Sequence, residues 1–481
     1  HATMPGMQER LDRLSGRRRL RHRDAAGDLS RLPDPTLPPG SDRLPQIKHI
    51  VLLMMENHSF DNYFGRLGRG DGLSDPPQEN PRRSGPPVAA FHFDKTTQTP
   101  EVPSQSWRSS HLQFDDGRND GFVTSIEEVT PNADATLGMG YWTDTDLPFY
   151  AGLARTFPLA DRWFCSCLGP TFPNRRFLMA ATANGLIDDI IAGIVDYPRS
   201  GTIFDLLNRY GISWANYHHV PHSRLLRKRF LGGGFLRLTR GLKLAAGHLL
   251  PFVEHRVRGE IDCTANLYPL GFTRTIGHLR HIDRFFKHAA EGTLPAVSIV
   301  DPDFTACSEE NPQDVQIGEG FAASVINAVM HGKAWANTVL IWFYDEHGGY
   351  YDHVPPPAAV EPDDVEPHSL LETRGPWRWL VKHTPMWRTA KKVDTTSGLY
   401  DRYGFRVPAV VVSPYAKPDL VSSTVFDHTS ALKLIEEKWN LPPLTKRDAA
   451  ADAPWDMLDF NSEPAFLDPP SLPPPAVRWR L

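Results

Sequence analysis

The sequence contains four nearly continuous apolar runs, and these constrain the fold more than any other feature. They occupy positions 49–55 (HIVLLMM), 294–303 (LPAVSIVDPD), 337–347 (NTVLIWFYDEH) and 406–415 (RVPAVVVSPY). Strands that are covered by helices on both faces have this composition, and helical patterns separate the runs along the chain. We therefore predict an α/β fold built on a buried sheet.

Each apolar run ends in polar side chains. The first continues into ENHSFDNYFG at 56–65, and the third ends in DEHGGYYDHV at 345–354. In open α/β sheets ligands bind beyond the carboxyl ends of the strands. The loops after the runs are therefore predicted to converge on one site.

Two pairs of oxygen-bearing side chains at these strand ends predict a metal site. Asp345 and Glu346 are adjacent acids, and keeping both ionised favours a cation between them. Glu56 and Asn57 supply a second pair from another strand end. These four residues form a hard, oxygen-rich set that suits a divalent metal. The alternative is a solvated loop with capping acids.

The segment LGPTFPNRRF at 168–177 contains a candidate nucleophile. Thr171 follows a Gly-Pro turn and precedes a helical pattern that we predict over 175–183. A helix N-terminus favours an anionic centre, since its N–H groups are free. Asn174 and Arg175 are close by, and Arg175 has a fork geometry suited to phosphoryl oxygens. The alternative role for Thr171 is an ordinary N-cap.

The charge and the four cysteines exclude several classes of protein. The formal net charge of -5 provides no general attraction to nucleic acid or membranes. No apolar run approaches the roughly 20 residues of a membrane span. Cys165, Cys167, Cys263 and Cys307 are too few for a disulfide scaffold, so we expect buried thiols, with a single disulfide left open.

Several long motifs, in one order, give the chain a family resemblance. ENHSFDNYFG, DLPFYAGLARTFPLADRWFCSCLGPTFPNR, DEHGGYYDHV and RVPAVVVSPYAKPDLVSSTVFDHTSALKLIEEKW resemble the bacterial phosphoesterase family of non-haemolytic phospholipases C, plant non-specific phospholipases C and a related acid phosphatase. The resemblance runs from about position 48 to 441. It implies an alkaline phosphatase-like fold, a three-layer α/β sandwich with a central, mostly parallel sheet and insertions.

The resemblance also implies roles for single residues. Glu56, Asn57, Asp345 and Glu346 fall on the family's metal ligands, and Thr171 falls on the nucleophile that becomes phosphorylated. Active-site histidines of the family match His111, His353 and His428. The chain departs from the pattern at SEENP, 308–312, where Asn311 stands in the place of an expected histidine. Protonation of the leaving group, if that histidine performs it, then passes to another residue such as His111 or His353.

The function that we expect is metal-dependent hydrolysis of phosphodiesters, of the phospholipase C type, through a phosphothreonine intermediate. The expected cofactor is one divalent ion, Ca, Mn, Mg or Zn, and the expected substrate is a phospholipid or a small phosphate ester. A phosphomonoesterase and a non-catalytic phospholipid-binding homologue stay open as alternatives. Peripheral membrane contact is compatible with this reading, nucleic acid is not an expected partner, and the oligomeric state is open.

We predict three regions along the chain: a polar arm over 1–45, the phosphoesterase domain over 46–450 and a proline-rich tail over 451–481. The domain is predicted to have insertions at 218–260 and 360–400. The first insertion has seven basic side chains and no acid over 223–253, which suits either a lid that meets anionic lipid or a solvated helix pair. An arginine run at 17–19 has no apolar segment after it, so we expect no export signal. The cytoplasm, or the mature form of a secreted protein, is then the expected location.

Overall fold

The computed structural model describes residues 29–189, 197–219, 263–268, 272–369 and 396–480. Most of the predicted basic insertion lies outside these residues, as do positions 370–395 of the second predicted insertion. The proposed domain boundaries stay predictions. No helix in the described ranges has the length and apolar character needed to cross a membrane.

A central sheet organises the described part of the chain. Its eight strands, numbered in chain order, are β1 (His49–Met55), β2 (Leu159–Ala160), β3 (Trp214–His218), β4 (Leu279–His281), β5 (Val297–Val300), β6 (Thr338–Tyr344), β7 (Ala409–Val412) and β8 (Val421–Ser422). Their spatial order is β8-β2-β7-β6-β1-β5-β3-β4. The predicted α/β class and the mostly parallel sheet are confirmed, whereas the alkaline phosphatase-like assignment stays a prediction.

The apolar runs form the centre of this sheet. In β1 every residue after His49 is buried, and β6 is buried along its whole length. The two strands pair in parallel with Met55 opposite Tyr344, so Glu56 and Asp345 follow at matching positions. On the other side of β1, β5 also runs parallel, with Leu53 opposite Val300. Three carboxyl ends therefore meet at one edge of the sheet.

The fourth apolar run differs from the prediction that all four loops converge on one site. β7 pairs with β6 in the antiparallel sense, so its carboxyl end points to the opposite edge of the sheet. Its amino end at Ala409 pairs with Phe343, two residues before Asp345, and Arg406 lies three residues before Ala409. The prediction was wrong for this run because carboxyl ends share an edge only when the strands are parallel.

Helices flank the sheet and connect its strands. In chain order they are α1 (Phe60–Phe64), α2 (Trp107–Phe114), α3 (Phe122–Val129), α4 (Pro148–Thr156), α5 (Thr171–Ala180), α6 (Ile203–Arg209), α7 (Phe272–Thr275), α8 (Ile282–Glu291), α9 (Val315–Met330), α10 (His428–Lys438) and α11 (Lys446–Ala450). Short 3-10 turns occupy Leu29–Arg31, Asp115–Gly117, Ala135–Met139, Thr264–Asn266, Ile276–His278, Trp335–Asn337 and Trp455–Met457. Two-residue strands pair Glu79–Asn80 with Val88–Ala89, and Phe91–His92 with Gly140–Tyr141.

Helix α5 begins earlier than the sequence pattern predicted. We predicted a helix over 175–183, whereas the helix starts at Thr171 and ends at Ala180. Pro170 precedes it in an extended conformation without a side-chain cap. Every residue of α5 is buried, so its register follows from tertiary packing rather than from an amphipathic pattern.

The two ends of the described chain pack against the domain. In the arm, the Arg43 amide donates to the Lys438 carbonyl at the end of α10. In the tail, the ring of Trp479 contacts the ring of Phe321 on α9. Gly152 and Gly320 allow this close approach, because a Cβ at either position would meet Pro473 or the Val477 carbonyl. The four cysteines are buried and free, so the expectation of buried thiols is confirmed.

Candidate active site

Thr171 lies at the carboxyl edge of the central strands. It is the first residue of α5, and its side chain is buried apart from a small exposed fraction of 5%. Its Oγ1 donates a hydrogen bond to Oδ1 of Asn57, at 3.3 Å. Asn57 follows β1 in a left-handed backbone conformation, with φ of 70°. The structure therefore brings the candidate nucleophile to one of the candidate metal ligands.

Asn174 holds the turn that precedes the nucleophile. Its Oδ1 accepts a hydrogen bond from the Cys167 amide at 3.0 Å, and its Nδ2 donates to the Gly169 carbonyl at 2.8 Å. A second bond from Nδ2 reaches the Pro170 carbonyl at 3.1 Å. Asn174 thus fixes the backbone from Cys167 to Pro170. Its contact with a phosphoryl oxygen stays a prediction.

Arg175 lies among carboxylates. Its Nε donates to Oδ2 of Asp345 at 2.9 Å, its Nη1 lies 3.3 Å from Oδ1 of Asp301, and its Nη2 lies 3.7 Å from Oε1 of Glu56. Nη2 also donates to the Met55 carbonyl at 3.2 Å. We name this group, Arg175 with Glu56, Asp301 and Asp345, the Arg175 cluster. Its guanidinium balances part of the negative charge of the site, and the predicted phosphate contact of Arg175 stays untested.

Asp301 is a member of the site that the sequence reasoning missed. It follows β5 directly, is fully buried and accepts hydrogen bonds from the Thr264 amide and the Asn216 amide group. The available signal was the run at 294–303, whose strand ends in the acid of VDPD. Applying the rule of converging strand ends to that acid would have found it.

The carboxylates of the site exceed its positive charge. Burial, with the charges of Glu310 and Asp345, raises the pKa of Glu56 well above its ordinary value. Burial and the Asp345 charge do the same to the pKa of Glu346, and burial raises that of Asp345 despite Arg175. Within the described ranges, Glu56 Oε2 and Glu346 Oε1 are buried without a hydrogen-bond partner. The site favours an added positive charge, from protons or from a cation.

The donor atoms of this site suit a divalent cation in their chemistry. Glu56, Asn57, Asp345 and Glu346 offer carboxylate and amide oxygens, which hard divalent ions prefer. The Asn57 amide donates to Oδ1 of Asp345 at 3.1 Å, which ties the two pairs together. In the parts of the chain that the structure describes, no three His, Cys, Asp or Glu side chains are placed closely enough to hold a metal ion. The metal site therefore stays a prediction, which the unpartnered oxygens favour.

His428 contacts the backbone of the site at Asp345. It is the first residue of α10, is fully buried, and its Nε2 donates to the Asp345 carbonyl at 2.7 Å. Its Nδ1 accepts from the Trp163 indole at 3.5 Å. Burial lowers the pKa of His428 to about 3, so the ring is neutral. This geometry holds the backbone at Asp345, and a direct catalytic role stays a prediction.

His353 lies in a second group of charges at the same edge of the sheet. Its Nδ1 bonds Oδ2 of Asp61 at 2.6 Å, and its Nε2 lies 3.2 Å from Oδ1 of Asp71. The buried Arg406 binds Asp61 and Asp352 at 3.1 and 2.8 Å. We name this group the Arg406 cluster: Arg406, Asp61, Asp71, Asp352 and His353. Both ring nitrogens of His353 thus face carboxylates, and its predicted catalytic role stays untested.

A cavity of about 350 Å³ opens beside the nucleophile. Its lining includes Pro170, which precedes Thr171, together with Asn311, and Trp107 from α2. Four further lining residues are acidic: Glu101, Asp188, Asp189 and Glu310. His111 lies one turn after Trp107 on α2, and its Nδ1 donates to the Trp107 carbonyl at 2.7 Å. His111 is therefore close to the cavity wall through Trp107, and its catalytic role stays a prediction.

The comparison with family models identifies the class of the protein. The model of the Phosphoesterase family matches residues 47–442. This range contains the whole central sheet, Thr171 and both pairs of candidate metal ligands. The chain belongs to the Phosphoesterase family.

Curated relatives of the chain are named phospholipases C. Hemolytic phospholipase C of Pseudomonas aeruginosa is 30% identical over 82% of this chain and 53% of its own length. Phospholipase C B of Mycobacterium tuberculosis is 32% identical over 84% of this chain and 75% of its own length. Non-specific phospholipase C3 of Arabidopsis thaliana is 27% identical over 90% and 77%. The chain thus spans about half the length of the first relative and three quarters of the others.

Proposed function

We propose that the protein is a metal-dependent phosphoesterase that hydrolyses phosphodiesters in the manner of a phospholipase C, through a phosphothreonine at Thr171. The observation that carries this proposal is the position of Thr171, with its Oγ1 3.3 Å from Asn57, at a strand edge where buried carboxylates outnumber cations. The family membership and the names of the relatives support the same reaction class. A phospholipid or a related phosphate ester is the proposed substrate.

Glu56, Asn57, Asp345 and Glu346 are the residues that would hold the cation. When bound, a divalent cation would act as a Lewis acid, lowering the pKa of a nearby hydroxyl and offsetting charge on phosphoryl oxygens. Thr171 then attacks phosphorus, and water later hydrolyses the phosphothreonine. Asn174 keeps the turn before Thr171 rigid, and Arg175 orients Asp345. In this mechanism the buried polar side chains position the reacting groups, and the Thr171 hydroxyl alone forms the bond to phosphorus.

The charge of the cavity favours diesters over monoesters. A phosphate monoester carries up to two negative charges near neutral pH, whereas a diester carries one. Three of the acidic residues of the cavity wall, Glu101, Asp188 and Glu310, repel the second charge, and no Lys, Arg or His belongs to the described lining. We therefore rank phosphodiester hydrolysis above the phosphomonoesterase alternative.

A substrate and metal panel tests this function. The protein is stripped with a chelator and assayed with p-nitrophenyl phosphorylcholine and with p-nitrophenyl phosphate, each with Ca²⁺, Mn²⁺, Mg²⁺ or Zn²⁺. We expect hydrolysis of the diester to return with at least one ion and to exceed that of the monoester. A preference for the monoester would establish the phosphatase alternative. Vesicle binding without turnover of any ester would establish the non-catalytic alternative.

The covalent step has its own test. Thr171→Ala should lose hydrolysis by on the order of 10⁴-fold or more, and Thr171→Ser should retain part of it. Mass spectrometry of acid-quenched protein should detect a phosphorylated Thr171 peptide in the wild type and not in the Ala variant. Wild-type rates from Thr171→Ala would mean that water attacks phosphorus directly.

A further inference from the structure

The leaving oxygen of an alkyl phosphodiester needs a proton, and the cavity beside Thr171 restricts the source. An alkoxide is a poor leaving group, and a positioned acid that protonates it contributes about 10²- to 10⁴-fold to the rate. The described lining of the cavity holds no His, Lys or Cys that could supply this proton. The candidates are the carboxyl groups of Glu101, Asp188, Asp189 and Glu310.

Asp189 is the carboxyl that the structure ties to the nucleophile. Its Oδ1 accepts a hydrogen bond from the Phe172 amide at 2.8 Å, and Phe172 directly follows Thr171 in α5. This bond substitutes for the missing N-cap of α5, because Pro170 has no capping side chain. The neighbouring Asp188 is engaged elsewhere, since its Oδ2 accepts from the Ser369 hydroxyl at 2.7 Å.

We propose that Asp189 is the general acid that protonates the leaving oxygen when Thr171 attacks phosphorus. This inference rests on the proposed function of Thr171. Thr171 enters this step as the alkoxide, after its hydroxyl proton has passed to bulk water. As the bond between its Oγ1 and phosphorus forms, the bond from phosphorus to the leaving oxygen breaks, and that oxygen takes the Asp189 proton. In the second step water attacks the phosphothreonine and gives a proton back to Asp189, while Thr171 leaves as the alkoxide from which the cycle began.

The surroundings of Asp189 suit this role. Asp189 is an exposed residue of the cavity lining, and loss of hydration at its carboxyl raises its pKa to about 8. The charges of Glu310, Asp345 and Asp188 add to the rise, and the Phe172 amide opposes it. A carboxyl in this state carries a proton at neutral pH and can donate it.

The decisive experiment compares two leaving groups on one phosphorylcholine. p-Nitrophenol leaves as a stable anion and needs no proton, whereas the diacylglycerol of dihexanoyl phosphatidylcholine needs one. For Asp189→Asn we expect the rate constant with the lipid to fall about 100-fold or more, and the rate with the nitrophenyl ester to stay within about threefold. Equal losses on both substrates, or no loss on either, would overturn the proposal.

Asp188→Asn is the matched control, because it makes the same carboxyl-to-amide change one residue away. We expect it to leave the ratio of the two rates within about threefold of the wild type. A selective loss on the lipid in this variant as well would assign the effect to cavity charge and contradict a specific role of Asp189.

The wild type supplies a second test that does not depend on how a variant folds. If Asp189 donates the proton, the rate constant with the lipid should decline as the pH rises through about 8, and the rate constant with the nitrophenyl ester should not follow this decline. Identical alkaline limbs for both substrates would refute the assignment. Hydrolysis of the nitrophenyl ester by Thr171→Ala tests the proposed nucleophile on its own. A failure of the proposal for Asp189 is therefore distinguishable from a failure of the proposal for Thr171.

Discussion

The Arg175 cluster and the Arg406 cluster lie at the same edge of the sheet and differ in how their charges are satisfied. Each contains a fully buried guanidinium bound to buried aspartates. In the Arg406 cluster the oxygens of Asp61 and Asp352 accept from Arg406, from His353 or from backbone amides. In and beside the Arg175 cluster, Glu56 Oε2 and Glu346 Oε1 have no partner among the described residues.

This difference separates a structural from a functional use of the same side chains. A buried ion pair whose atoms are all hydrogen-bonded holds elements together, and removing one partner is costly. A buried carboxyl without a partner costs free energy of folding, so its retention calls for another explanation, such as a ligand. We therefore place the proposed chemistry at the Arg175 cluster, whereas the Arg406 cluster joins β7 to the loops after β1 and β6.

The largest expected effect is on activity, from a change beside the Arg175 cluster. Glu346→Gln should reduce diester hydrolysis by on the order of 10³-fold or more, because it removes one of the proposed metal ligands. Its thermal unfolding midpoint should stay the same or rise, since a buried charge without full pairing is removed. Steady-state kinetics and calorimetry on the same preparation measure the two quantities.

Glu436→Gln is the control for this change. Glu436 is also fully buried, and its two carboxyl oxygens likewise have no hydrogen-bond partner among the described residues, but it lies two turns into α10 and not at the strand ends. The control should keep activity within about threefold of the wild type. An active Glu346→Gln enzyme would remove Glu346 from the proposed metal ligands.

The second effect is on stability, from the Arg406 cluster. Arg406→Met leaves Asp61 and Asp352 buried without their cation, and the free energy of unfolding should fall by about 3 to 5 kcal/mol. Arg83→Met, at the exposed pair with Glu128, should cost less than about 1 kcal/mol. Chemical denaturation measures both. If Arg406→Met folds as stably as the wild type, the structural reading of this cluster is incorrect.

The third effect is a thermal shift caused by the cation itself. Ligand at about 100 times its dissociation constant stabilises a protein by about 2.7 kcal/mol. We expect an activating ion to raise the unfolding midpoint of the stripped wild type by a few degrees, and not to raise that of Glu346→Gln. Asp61→Asn, in the Arg406 cluster, should keep the shift. A shift that survives in Glu346→Gln would place the cation elsewhere.

The features predicted from sequence are those that local pattern determines. The run HIVLLMM coincides with β1 over His49–Met55, because unbroken apolar residues suit a strand covered on both faces. Parallel pairing then brings Glu56 and Asp345 to matching positions, as the rule of strand ends implies. The strand assignment needs no information about distant contacts, and the general rule for parallel strand ends supplies the placement of the two acids.

The features that sequence did not predict depend on tertiary contacts. The reversed direction of β7 is set by its neighbours, and the burial of Arg175 among Asp345, Asp301 and Glu56 joins four separate segments. Glu309 is a further case: its carboxyl accepts from the hydroxyls of Tyr63, Tyr150 and Tyr344, on three elements. Such networks have no local periodicity, so a single sequence does not reveal them.

The smallest expected effect comes from His353, for which the family resemblance predicts a catalytic role and which the structure places in the Arg406 cluster. Burial disfavours its charged form, but the hydrogen bond and charge of Asp61, with the charge of Asp352, outweigh burial and raise the pKa of His353. The stability that this raised pKa provides is complete below the unfolded pKa of about 6.5 and is lost as the pH rises through the higher folded pKa.

His353→Gln should therefore cost about 1 kcal/mol at pH 6 and less at pH 9, and should leave hydrolysis within about threefold. His92→Gln, at an exposed pair with Asp146, is the surface control and should cost less than about 1 kcal/mol. A loss of hydrolysis of about 100-fold in His353→Gln, with unchanged stability, would instead make the Arg406 cluster part of the catalytic machinery and end the distinction between the two clusters.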